Sequence, residues 1–166
     1  MSPLVLNFDP DRCYVQSVQK PVPAPLFSKP EMGKLLSVIL SMVIRPKVME
    51  ALAAVVTERQ EACAEGSTYP PVADLSIEWA CHFVVSLPEN APDPEVGAGP
   101  KGDISFDWYD GRDHILTVGI QPDGTVHYAY VNGNERAHAT LDLEHGVPES
   151  LLKRIKSFSR EELVDA

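Results

Sequence analysis

The chain has 166 residues, 44% of them hydrophobic, and carries 24 acidic side chains against 14 lysines and arginines for a net charge of −10. That length supports one domain over 1–166 that buries roughly 70% of the surface exposed by its unfolded form, without disulfide or metal staples. With a pI near 4.8, direct nucleic-acid binding is not expected, because no cationic surface is available to displace condensed counterions.

Cys13, Cys63 and Cys81 are odd in number, widely spaced and without a C-x-x-C pair, so neither a disulfide framework nor a zinc knuckle is expected. The first twelve residues show no cationic region followed by a long apolar stretch; this argues against a secretory signal and predicts a cytoplasmic protein. The most apolar run, 35–44, is fenced by Lys34 and Arg45. At ten residues it is about half of what a bilayer-spanning helix needs, so no membrane partner is expected.

Two proline-rich stretches divide the chain, since proline fixes φ and disfavours helix in the residue before it. The first, 20–30 (KPVPAPLFSKP), closes an extended arm over 1–29 in which 4–8 has the pattern of a short strand. A helical half over 30–87 follows. Ser28 and Glu31 have capping-box spacing, and a first helix is predicted over 30–44. Its apolar positions Met32, Leu35, Leu36, Val38, Ile39, Leu40, Met42, Val43 and Ile44 leave little polar face. Such a helix is either central in the fold or covered by another chain, a second copy included.

Pro46 opens a second helix, carried by Val48, Leu52, Val55 and Val56 to about Glu65, with Gly66 at its C-cap. A third is predicted to open at Pro71, with Val72, Leu75, Trp79, Phe83 and Leu87 along one stripe. The second proline-rich stretch, 88–102, is read as a linker without regular structure.

Beyond it the apolar period switches from about 3.6 to 2. Ile104, Phe106 and Trp108 alternate with polar residues, as do Leu116, Val118 and Ile120, then Val126, Tyr128 and Tyr130, then Ala137, Ala139 and Leu141. Asp110-Gly111, Pro122-Asp123-Gly124 and Asn132-Gly133 supply the turns. A glycine bulge at the middle turn sets Val118 opposite Tyr128 and Ile120 opposite Val126. The prediction is an α+β fold, with helices packed on one face of a four-stranded antiparallel meander over 103–141. A short C-terminal helix over 147–158 carries Leu151, Leu152, Ile155 and Phe158; its Lys153, Arg154, Lys156 and Arg160 suit the negative end of the dipole.

No reactive constellation is assembled in the sequence, so no catalytic residue and no cofactor is assigned. A two-residue turn at Asn132-Gly133 places His127 opposite His138, on the sheet face away from the tyrosines. Two facing imidazoles, with His114 further off, form the one metal-assisted alternative; the neighbouring Thr117, Thr125 and Thr140 are poor ligands. Cys81 and His82 lie about 100° apart around a helix, which does not make a nucleophile–base pair; Cys81 is expected in the core and His82 in solvent. The stretch 97–102 fails as a phosphate loop, because Pro100 lacks an N–H, Gly102 replaces the hydroxyl residue and a strand follows.

The ordered elements Pro92-x-Pro94-x-Val96, Gly102-x-Ile104-x-Phe106-Asp107-Trp108, Pro122-Asp123-Gly124 with Tyr128, and Val147-Pro148-x-x-Leu151-Leu152-x-x-Ile155 resemble a widespread group of small uncharacterised bacterial proteins. The similarity covers about 69–158. The W-D-G-x-G element frequent in that group is reduced here to Tyr69-Pro70-Pro71, and the first sixty residues have no counterpart. The resemblance implies a fold and a bacterial or phage origin, and it carries over no catalytic residue.

These readings converge on a non-enzymatic interaction or regulatory protein from a mobile-element, toxin–antitoxin or defence setting, whose partner is another protein. The residues expected to meet that partner are Leu36, Leu40 and Val43 on the first helix, Asp93 and Glu95 in the acidic loop, and Tyr109, His127 and His138 on the sheet. A metal-assisted enzyme and an acidic mimic of nucleic acid are the alternatives.

Overall fold

The computed structural model describes residues 29–159. Of the arm predicted over 1–29, residues 1–28 lie outside the described residues, and with them the strand at 4–8, Cys13 and the Ser28 cap, as does Arg160; Lys29 is already helical. Among the described residues are four α-helices, α1 (Lys29–Ile44), α2 (Pro46–Ala64), α3 (Asp74–Ser86) and α4 (Glu149–Lys156). Five strands, β1 (Glu95–Ala98), β2 (Ile104–Tyr109), β3 (His114–Ile120), β4 (Thr125–Asn132) and β5 (Glu135–Asp142), form one antiparallel sheet in sequence order.

The α+β class and the meander stand, but the sheet has five strands where four are predicted. The additional strand, β1, lies inside the stretch 88–102 that reads as a linker. Its four residues sit between Pro94 and Pro100 and contain no proline, and a short edge strand tolerates proline at its flanks. Gly97 suits the position, since a Cβ there would come within 2.7 Å of the Ser105 hydroxyl on β2.

The register of β3 with β4 is the expected one, with Val118 opposite Tyr128 and Ile120 opposite Val126. Side chains at 104, 106, 108, 116, 118, 120 and 126 are therefore all buried on one face, the arrangement that a slip of one residue would reverse. Gly124 closes the turn at φ +83, a conformation that costs other residues. The position also leaves no room for a side chain, because a Cβ would lie 2.8 Å from the Trp79 ring.

The helices form two layers over this face. α3 lies between the sheet and α1, while α2 runs along β1. Phe83 of α3 meets Phe106 of β2 with ring centroids 5.3 Å apart, and Leu151 and Ile155 of α4 close the same core. Each large aliphatic or aromatic side chain buried there contributes about 1.5–3 kcal/mol.

α3 departs from its expected course in two ways. It starts at Asp74, three residues after Pro71, because the Ala73 N–H is held in extended backbone by the Gly102 carbonyl at 3.0 Å. Its buried residues are Ser76, Ala80, Cys81, Phe83 and Val84, whereas Leu75 of the predicted stripe is exposed and Trp79 is half-buried. A helix with neighbours on two sides buries small residues that a single-stripe reading passes over.

The prolines of 88–94 leave carbonyl groups that no ladder satisfies, and side chains from distant elements donate to them. The Arg45 guanidinium donates to the Pro88 carbonyl at 2.6 Å, to the Ala91 carbonyl at 3.0 Å and to the Asp93 carboxylate at 2.6 Å. The Trp108 indole donates to the Pro92 carbonyl at 2.9 Å, and the Ser159 hydroxyl donates to that of Asn90.

Arg45→Met keeps the apolar stem and removes the donors. It is expected to lower unfolding free energy by about 2–4 kcal/mol in urea titrations, with Arg45→Lys recovering part of the loss because an ammonium cannot span three acceptors as a guanidinium does. A loss below about 0.5 kcal/mol would place Arg45 among ordinary surface substitutions and remove it as the clamp of this loop.

Candidate functional site

An α-helix turns about 100° per residue, so Val38, Ser41 and Arg45 share one narrow face of α1. That face points into the protein: Ser41 is 0% and Arg45 6% exposed, and Val38 packs against the core. The Ser41 hydroxyl turns back to the Val38 carbonyl at 2.8 Å and lies beside the Cys81 thiol of α3.

With Val38, Ser41 and the following Arg45 turned inward, α1 carries its large aliphatic residues from Leu35 to Ile44 outside. Leu36 is 56%, Leu40 38% and Val43 74% exposed, and Leu35, Ile39, Met42 and Ile44 are exposed beside them. The expectation that this helix is central in the fold is therefore corrected, since every one of these side chains faces away from the described core. The buried guanidinium sets that orientation, because only one rotation of the helix brings Arg45 to the proline loop.

Asp93, Glu95 and Tyr109 come together. With Pro92, Asp107, Trp108 and Phe158 they line a cleft of about 150 Å³, formed where β1 starts and leaves Trp108 and Tyr109 of β2 paired with β3 alone. Glu95 and Asp107 are cross-strand partners. Asp107 accepts from the Thr117 hydroxyl at 2.6 Å, and Asp93 is the carboxylate that meets Arg45. Asp107 first, then partial desolvation and Glu95, push the Tyr109 phenol above the ordinary tyrosine value, because a phenolate beside two carboxylates is disfavoured.

His127 and His138 do not face each other. Asn132 pairs with Glu135, so the turn consists of Gly133 and Asn134, with glycine at φ +57 in the first central position that a II′ hairpin requires. His127 consequently lies opposite Thr140, whose hydroxyl is 2.9 Å from its Nδ1, and His138 lies opposite Ala129. Both remain on the face away from the core. His114 is on the opposite face, stacked on Phe158 at 3.8 Å, with Nε2 3.1 Å from the Ser157 hydroxyl and Nδ1 3.8 Å from the Asp110 carboxylate. The three imidazoles are thus divided between the two sides of the sheet. Among the described residues, no three histidine, cysteine or carboxylate side chains form a group able to hold a metal ion, and no helix is long and apolar enough to cross a membrane.

Cys81 is buried beneath α1 and His82 is exposed, as expected. Burial pushes the Cys81 thiol up, Ser41 works against this by hydrogen bonding, and Glu78 adds to the rise. A thiol in that state is a poor nucleophile.

Two features are not drawn from the sequence. The Arg45 clamp escapes because a basic residue at the end of an apolar run reads as a solvent boundary; the spacing of Val38, Ser41 and Arg45 is the signal that could have found it. The second is a cleft of about 390 Å³ between α2 and β1, lined by Val55, Arg59, Tyr69 and Val96 among others. Arg59 donates across it to the Ala98 carbonyl at 2.6 Å and lies 5.2 Å over the Tyr69 ring.

The crowding of carboxylates around Tyr109 is open to direct titration. Asp107→Asn should bring the phenol back toward its ordinary value, read as the ultraviolet ionisation difference between each protein and its Tyr109→Phe counterpart. An unchanged midpoint would mean that Asp107 does not reach the phenol.

No family model, curated protein or solved structure matches the chain.

Proposed function

We propose that the chain is a non-enzymatic protein-docking module whose docking face is the outer side of α1. One observation carries this reading: a helix that turns Ser41 inward, with Arg45 just after it, and presents Leu36, Leu40 and Val43 to solvent. Exposing contiguous aliphatic surface is costly in water, and contiguous apolar patches on soluble proteins mark places where another molecule binds. The acidic cleft of Asp93, Glu95 and Tyr109 starts one side chain away from the end of α1, through the Arg45–Asp93 pair. It supplies a polar, charged rim to an apolar centre, the usual anatomy of a protein interface.

Three forms of the full-length protein are to be compared by affinity capture from the native host: the unaltered chain, Leu36→Glu with Val43→Glu, and Asp93→Lys with Glu95→Lys. Since Leu36 and Val43 make little contact with the core, circular dichroism should show an unchanged fold in the first variant. Its bound partner should fall by about tenfold or more, the equivalent of one interface anchor, and the rim variant should lose less. Capture of the same proteins in the same amounts by the α1 variant would overturn the reading.

A further inference from the structure

We propose that the partner of α1 is a second copy of this chain, paired about a two-fold axis with the two α1 helices antiparallel. The proposal rests on the reading of α1 as a docking face and names its occupant.

The outward side of α1 has a centre line. Leu36, Ile39, Leu40 and Val43 follow the i, i+3, i+4, i+7 spacing of a helix–helix seam, with Leu35, Met42 and Ile44 beside it. Running the seam against itself in the antiparallel sense sets Leu36 of one copy against Val43 of the other, and Ile39 of one against Leu40 of the other. Each contact is made twice, as two-fold symmetry requires, and the helix dipoles oppose each other favourably.

Charge selects a like copy over a charged partner. The chain has a net charge of −10, so two copies repel wherever their acidic surfaces meet. Residues 35–44 are the longest stretch of the sequence without an acidic, basic or histidine residue. Along that stretch two copies can approach without bringing like charges together, and a partner chosen by charge finds an ion to pair with only beyond it, at the Asp93 and Glu95 rim.

The area is sufficient. The seven exposed aliphatic residues of α1 present roughly 700 Å², above the ~300–600 Å² of the largest patch on a typical monomer and close to the ~800 Å² per partner of a standard interface. The sheet edges offer no comparable surface: β1 lies along α2, and β5 exposes Glu135, Arg136, His138 and Asp142, the charged edge that discourages strand pairing.

Sedimentation equilibrium of the full-length protein should give twice the chain mass of 18.2 kDa at high concentration. Val43→Glu and Val43→Lys should each raise the dissociation constant about a hundredfold, as expected for a charge buried at the seam on each side, with an unchanged circular dichroism spectrum. Leu36→Glu combined with Val43→Lys places opposite charges together only in the antiparallel pair, and should dimerise more tightly than either single variant. A double variant no tighter than the single ones overturns the antiparallel arrangement. A protein that remains at 18.2 kDa at every concentration overturns the proposal. In that case a naphthalene sulfonate dye separates the two ideas: uptake by the folded monomer, abolished by Val43→Glu, leaves α1 as a docking face for a different protein, and no uptake removes the docking reading as well.

Discussion

Arg45 has more N–H donors than any other side chain type can offer, and it directs three hydrogen bonds at a loop that satisfies only part of its own acceptors. Pro88, Pro92 and Pro94 bring no N–H to the segment, whose Ala91 N–H reaches the Pro88 carbonyl, and buried carbonyls left without donors are costly. By reaching Pro88, Ala91 and Asp93 together, the guanidinium joins the α1–α2 corner to the loop that leads into the sheet. From the sheet side, Trp108 reaches the same loop at Pro92. The rotation of α1 about its own axis follows, and with it the outward turn of seven aliphatic side chains. Local hydrogen-bond satisfaction thus overrides the ordinary placing of leucine inside and arginine outside.

Much of the fold is legible in the chain, for reasons that differ by element. α2 is announced by Pro46 and ended before Gly66; β2 to β4 are announced by strict alternation, and their register by a turn whose glycine admits only one reading. These signals are local, so they need no knowledge of neighbours. What is not legible depends on distant contacts. β1 exists because β2 offers it a partner. α3 buries Cys81, off its predicted stripe, because α1 lies on that side. The pairing of β4 with β5 moves by two residues because Asn132 stays in β4, opposite His114, a contact that lies in the third strand.

The candidate site divides along the same line. Hydrophobicity alone marks 32–44 as unusual, and the lack of a polar face already leaves burial in the fold and cover by another chain as the two outcomes. Choosing between them requires the inward face of Val38, Ser41 and Arg45, which composition does not reveal. Tyr109 is distant from Asp93 and Glu95 in sequence yet shares their cleft because β1 folds back on β2. The histidines show the reverse: His114 is one of three on adjacent strands, but strand parity sends its side chain to the core face while the other two point to solvent.

The seating of Trp79 against the glycine turn of β3 and β4 equips the chain with a built-in optical gauge. The protein has two tryptophans; one indole is half-buried over a bare turn, whereas the other, Trp108, is enclosed and hydrogen-bonded to the proline loop. Lifting α3 from the sheet wets the first ring and also takes Phe83 from the edge of the second, while release of the proline loop breaks the hydrogen bond of the second alone. Helix undocking therefore changes both indoles and loop opening changes one, a difference that needs no added label.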